Sequence, residues 1–420
     1  MKRLLYIFLI VFVLGSILQC SSNCYAANSS FKYENKYNKS ISYMEENYNP
    51  GVSYTSGEWS VLALARSGKL SEDKKGKYIN ALKEYVKSNN SDKISNARAT
   101  DNARVIIALS SLNENPMDFN GYNLINPLND YDFVTYQGIS GPVWALIAMN
   151  SKNYSFSGEN VSREKLIEFI LDYQSDSGLF TFDKKSEDVD VTAMCLQALS
   201  PYKGNSDVNN AIEKALNALS QKQSSKGAFG YGSSINCEST SQVIIALCAL
   251  GINPETDSRF IKNNKSVVDG LLLFYRDDGS FSHMENGSVN AMATEQGVLA
   301  LISLRRQYYK LDYIYNMVNV DVYDNYDNLE EEKHVENSAN NKNTYGYTGN
   351  DSGKYLTADV NNDINNVAGV ALGNENNNND LSSKTSAKTS DEKNVPFVLI
   401  TISVIAFIYA NTRKYHNENI

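Results

Sequence analysis

The polar side chains best placed to do chemistry in this chain stand at the heads of its apolar runs. Glu58 and Trp59 open one run, Asp101 and Arg104 a second, and Gln137 precedes a third. Asp188 and Asp190 open a fourth, Glu238 and Gln242 a fifth, Glu295 and Gln296 a sixth. Acids in such places admit two readings: a carboxylate at a helix N-terminus is favoured by the dipole and caps N–H groups, or it meets a ligand. Asp190 is expected to be a helix N-cap, with ligand contact as the alternative. Arg104, lying among apolar residues, either pairs with Asp101 or Glu58 or meets an anionic ligand. Trp59 and Trp144 sit at offsets that suit core packing or a ligand platform. His283, beside Phe281 in a turn, reads as a solvated loop residue. With only three His in the chain, no metal site is expected.

The elements that must position these residues are written as a repeat. Gln174-Ser-Asp-Ser-Gly178-Leu-Phe180 is followed by Thr192 and Ala198-Leu199. Gln223 to Phe229, Thr240 and Ala246-Leu247 repeat the pattern, as do Tyr275 to Phe281, Thr294 and Ala300-Leu301. The glycines recur after 49 and then 52 residues, a period typical of units that bury their apolar faces only by stacking. The Ala-Leu pair extends the series back to Ala63-Leu64, Ala108-Leu109 and Ala145-Leu146, giving six helices apolar nearly all round. Charged amphipathic stretches lie between them, at 74–87, 163–173, 208–223 and 258–275. The outer partner of the third unit is the least regular, because 115–136 is rich in Asn, Pro, Tyr and Gly, and Tyr122 to Tyr136 reads as a lid or rim loop. Residues 308–323 read as a final helix packing on the ring. Six outer–inner hairpins closing on themselves would bury every inner helix.

The ends carry targeting signals. Lys2-Arg3, the apolar run Leu4 to Leu18 and small residues at Ala26-Ala27 read as a signal peptide over 1–26. Val395 to Ala410 is uncharged and mostly apolar, with Arg413 and Lys414 behind it, so a transmembrane anchor is expected over 395–411. Residues 412–420 then form a cytoplasmic tail. Between ring and anchor, 321–394 is a low-complexity tract rich in Asn, Asp, Ser and Lys, expected to be a disordered stalk. The domain is therefore placed at 28–320, outside a cell membrane crossed once, as in a Gram-positive bacterium. Once the leader is removed, Cys195, Cys237 and Cys248 remain, an odd set that implies no disulfide framework. A net charge of −9 argues against nucleic acid as partner.

The Gln-to-Phe segments resemble the Gln-Trp repeat of squalene and hopene cyclases, with Phe in place of Trp. The resemblance covers roughly residues 50–310 and implies an all-α, α6/α6 toroid, as in terpenoid cyclases, protein prenyltransferases and cobalamin carriers. It also implies that the Gln and the aromatic ring tie one helix end to the next. Asp188-Val189-Asp190-Val191-Thr192-Ala193 is similar to the acid motif of class II terpenoid cyclases, where the acid matching Asp190 protonates an olefin or epoxide. Val191 stands in place of that motif's third acid. Cys237 and His283 invite comparison with the zinc ligands of prenyltransferases, but no Asp-x-Cys pair precedes a suitably placed His. Cys237 to Gln242 likewise lacks the spacing of a thioester sequence. Val189 to Met194 is similar to a segment of animal cobalamin carriers, which makes cobalamin a possible ligand, with no other cofactor implied.

These features lead to the expectation of a membrane-anchored extracellular toroid that binds a small molecule or surface protein without catalysis. The ligand classes considered are corrin, isoprenoid, glycan and peptide. The binding residues are expected among Glu58, Trp59, Asp101, Arg104, Gln137, Asp190, Glu238, Gln242, Glu295 and Gln296. A cyclase-like enzyme using Asp190, with Asp188 beside it, is the alternative. A structural or adhesion protein with a ring centre filled by side chains is the second.

Overall fold

The computed structural model describes residues 30–49, 51–52, 57–232 and 234–318. The expected signal peptide, the stalk, the anchor and the tail lie outside these residues. No helix among the described residues is long and apolar enough to cross a membrane.

Six apolar helices form an inner layer: α2 (Glu58–Arg66), α4 (Ala99–Ser111), α6 (Ser140–Ser151), α8 (Val189–Leu199), α10 (Cys237–Ala249) and α12 (Ala291–Tyr308). Each packs against the next, and α12 packs back against α2, so the layer is a closed ring. Alternating with them in the chain are α1 (Glu34–Asn47), α3 (Glu72–Asn89), α5 (Tyr131–Thr135), α7 (Arg163–Leu171), α9 (Ser206–Lys222) and α11 (Val267–Leu271). These form the outer layer, with α7 on α6, α9 on α8, α11 on α10, and α1 against both α12 and α2. The fold is an α/α toroid of six hairpins.

The repeat is the joint between hairpins. Gln174 Nε2 donates to the carbonyls of Gly178 and of Ala211 in the next outer helix, both at 2.8 Å. Gln223 does the same to Gly227 and Phe260. The turn glycines lie in the left-handed region at φ 97°, 87° and 92°. A Cβ on Gly178, Gly227 or Gly279 would come within 2.6, 2.1 or 2.4 Å of a carbonyl oxygen of Lys214, Ser266 or Lys39. Lys39 belongs to α1, so the third joint, in which Tyr275 replaces Gln, fastens the last complete repeat to the first outer helix. The Ser40 hydroxyl donates to the Gly279 carbonyl there at 2.7 Å.

Threonine locks the last three inner helices to their turns. The hydroxyls of Thr192, Thr240 and Thr294 accept from the backbone N–H of Phe180, Phe229 and Phe281 at 2.9–3.0 Å. They donate to the carbonyls of Asp188, Asn236 and Asn290, four residues earlier. Those three residues are the N-caps of α8, α10 and α12, their side chains accepting from backbone N–H groups. Asp190 is therefore not the cap: Asp188 fills that role and Asp190 falls in the first turn.

Three elements depart from the sequence expectation. Over 258–275 a helix gives way to a 3₁₀ turn at Ser258–Phe260 and the short α11, because Asn263 and Asn264 take left-handed φ of 49° and 60°. Residues 122–136 are no lid: Leu124, Leu128, Phe133 and Val134 are buried, and the segment is the outer element of the third unit. No helix begins between residue 308 and the end of the described chain. Helix α12 ends at Tyr308, Lys310 turns left-handed at φ 57°, and the following segment crosses the ring's far end. It is held by Arg306 Nε donating to the Asp312 carbonyl (2.6 Å) and Met317 N–H donating to the Ser151 carbonyl (2.8 Å).

Candidate functional site

Because every inner helix runs in the same sense around the ring, the residues at their heads share one rim. Glu58, Asp101 and Arg104 meet there. Arg104 Nε donates to Glu58 Oε2 at 2.8 Å and Nη1 to Asp101 Oδ1 at 3.0 Å, while Arg98 holds the other oxygen of Asp101. All three members of the central cluster are buried. Burial holds the Glu58 carboxyl above its ordinary range, and Arg104 offsets only part of that rise. Arg104 is thus a structural cation between two acids, rather than an anion receptor. Gln137 accepts from the Thr100 N–H and hydroxyl at 3.2 and 3.1 Å, joining α4 to the lead-in of α6. Buried Glu295 lies beside Tyr48, its charge adding to the burial that keeps that hydroxyl protonated.

The second cluster unites Asp190, Glu238 and His283. His283 is not a free loop residue: it is half-buried and its Nδ1 lies 2.8 Å from Glu238 Oε2. That hydrogen bond raises the imidazole's affinity for its proton. Asp190 is raised to about 8, first by burial and then by the neighbouring Asp188, with the Ser239 hydroxyl opposing. Its Oδ1 is buried without a hydrogen-bond partner. Burial beside a second acid, Asp188, favours the protonated form of Asp190, which can donate a hydrogen bond or a proton. Among the inner helices, partial exposure at this end falls on Thr100, Asp190, Glu238, Ala291 and Met292, with Trp144 and Met194 deeper. An acid one helical turn from a thioether makes this sector of the rim both apolar and hydrogen-bonding.

Further in, the amides form a chain. Gln197 Nε2 donates to Gln242 Oε1 at 2.8 Å, and Gln242 Nε2 donates to Gln296 Oε1. Trp59 and Trp144 pack with tilted rings at 5.0 Å between centroids, and Tyr315 completes a trio at 6.4 and 6.0 Å. Since Tyr315 comes from the segment crossing the far end, the trio ties that segment to α2 and α6. Trp59 belongs to this packing and not to the acid clusters.

The contacts of His283, Gln197 and Tyr315 had no signal in the sequence because each reaches its partner across at least 45 residues. The caps had a usable signal, an Asp or Asn four residues before each repeat threonine. Cys195, Cys237 and Cys248 are buried free thiols. Among the described residues no group of three or more His, Cys, Asp or Glu is arranged to hold a metal ion.

No protein-family model matches the sequence, and no curated protein matches it. Among solved structures, a polysaccharide lyase is similar at 13% identity, covering 66% of this chain and 96% of that one, with a TM-score of 0.44. The ent-copalyl diphosphate synthase from Streptomyces platensis is similar at 17% identity, covering 63% of this chain and 50% of the synthase, with a TM-score of 0.38. This chain therefore spans about half the length of that synthase.

Proposed function

We propose that this chain is a membrane-anchored extracellular ring protein that binds a ligand at the rim formed by the heads of its inner helices. The observation that carries this reading is Asp190: a partly exposed carboxyl whose Oδ1 is buried without a partner, beside the partly exposed Met194. A neutral acid on an apolar wall suits a ligand that is largely apolar and hydrogen-bonding, such as a corrin or an isoprenoid, better than a strongly charged one. The leader at 1–26 and the apolar run at 395–411 support the placement at the outer face of a membrane. The test is native mass spectrometry of the full chain in detergent, offered cell extract and cobalamins. A retained small molecule, lost from Asp190→Asn, is the expected result. A folded chain that retains nothing from either source overturns the reading.

A second reading is favoured by the same acid. A carboxyl that keeps its proton near neutral pH, with a Glu238–His283 pair alongside, has the makings of a general acid for a cyclase-like reaction. Turnover of squalene or a polyprenyl diphosphate, abolished by Asp190→Asn with the fold intact, would establish catalysis in place of simple binding.

A further inference from the structure

One residue of each inner helix stands four before its Ala-Leu pair, or before Ala148-Met149 in α6. These are Trp59, Arg104, Trp144, Met194, Gln242 and Gln296. Shared register puts them in one layer, just inside the acid rim. Trp59 and Trp144 touch although α4 stands between their helices, so the layer faces the ring's interior. Trp144 and Met194 are partly exposed and the other four keep 6–7%, while Ser60, Ala103, Ala193 and Val243 beside them are at 0%. None of the six lines the hollow among the C-terminal ends of the inner helices. The layer is therefore the wall of a well entered from the rim.

The hydrogen-bonding capacity of this wall is lopsided. Gln242 spends Oε1 on Gln197 and Nε2 on Gln296 Oε1, which leaves Gln296 only its Nε2 to offer. Trp144 offers its indole N–H, a donor only. Neither nitrogen has a partner among the described residues, and neither is sealed from solvent as Trp59 Nε1 is. No amide oxygen of the layer is left over to accept. Helices α6 and α12 stand opposite each other in the ring of six, so the two donors come from opposite walls. Between them lie indole and the Met194 thioether, which suit a flat unsaturated ring. An anion would have to pass Asp190 and Glu238, and would find Arg104 already held by Glu58 and Asp101.

We infer that the ligand of the rim is a quinone, whose ring enters this well. A quinone is flat, apolar and neutral, and its two carbonyl oxygens accept at opposite edges while it donates nothing. Trp144 and Gln296 are then the residues that select it. The hydroquinone of the same skeleton brings two O–H groups to a layer with no free amide oxygen, and a hydrocarbon leaves both donors unanswered. This inference rests on the reading of the rim as a binding site and names what that site takes.

The test is titration calorimetry of the full chain in detergent, under argon, with duroquinone, durohydroquinone and durene. Saturable binding of duroquinone is expected, with both comparison compounds weaker by about tenfold. Trp144→Phe keeps an aromatic wall without the donor and should weaken duroquinone about fivefold while leaving durene unchanged. Gln296→Glu keeps the oxygen that Gln242 uses and should act in the same direction. Should Trp144→Phe fail to fold, Gln296→Glu and the oxidised–reduced comparison decide. No binding of duroquinone, equal binding of all three compounds, or binding indifferent to both variants would overturn the inference. A molecule retained from cell extract and lost from Asp190→Asn, in a chain that ignores duroquinone, sinks this inference alone and leaves the rim reading standing.

Discussion

Arg104 is the residue on which one side of the rim depends. It answers two buried acids, and removing it strands the carboxylate of Glu58 in the interior. Breaking a buried pair from one side typically costs about 3–5 kcal/mol, so Arg104→Met should lower stability to urea by that amount. Glu58→Gln in the same chain should recover much of the loss, and a loss below about 1 kcal/mol would remove Arg104 from this role. Asp190 makes a pH prediction. In the unfolded chain it titrates near 3.8 and in the folded ring near 8, so between those values the folded state binds the extra proton. Stability must therefore fall as pH rises through that window. His283, raised by Glu238, acts in the same direction: its contribution is full below pH 6.5 and is lost as pH rises through its folded value. Asp190→Asn should flatten the decline, so its advantage over the parent in urea should grow from pH 5 to pH 8. An advantage that is constant with pH would contradict the raised acid. At this scale the sequence was legible where partners share a helix, as Asp101 and Arg104 do three residues apart. It was not legible where backbone angles decide, as in the choice of Asp188 over Asp190 for the cap. Nor did it reveal the partner of His283, which lies on another hairpin.

The joints between elements are set by three glycines that meet a neighbouring backbone. Alanine at Gly178, Gly227 or Gly279 must accept left-handed strain and also displace a carbonyl, together about 2–5 kcal/mol. Gly251 is the internal comparison, with φ 76° and nothing within 4 Å of the position an added methyl would take, so Gly251→Ala should cost only about 1–2 kcal/mol. Thermal denaturation of the four variants checks this, and equal losses at all four sites would mean that the close approach is not limiting. The inner helices were legible because each carries Ala-Leu in a run with no wet face. Long amphipathic outer helices were legible for the same kind of reason, as in α3, α7 and α9. Segments 258–275 and 308–323 misled because their composition allowed a helix while single left-handed residues, Asn263, Asn264 and Lys310, ended it.

At the scale of the molecule, closure rests on α1, which covers α12 and α2 and receives the last joint at Ser40. Lys32 pairs with Glu255 and Glu34 with Arg305 across the same seam. Both tryptophans of the chain lie in the central trio, so their emission reports the ring's interior alone. Urea unfolding followed by tryptophan emission should coincide with that followed by far-ultraviolet circular dichroism, because a closed ring gives no hairpin a free edge from which to fray. Separate midpoints would show hairpins melting one at a time. A closed circle also constrains its own history. An open array of repeats gains or loses a unit at either end with little consequence for the others. Here a seventh hairpin would have to be admitted by changing the angle at every joint at once, and a lost one would leave a gap that no neighbour can reach. Length variation among chains built this way should therefore collect in the connections between helices, never in the count of hairpins.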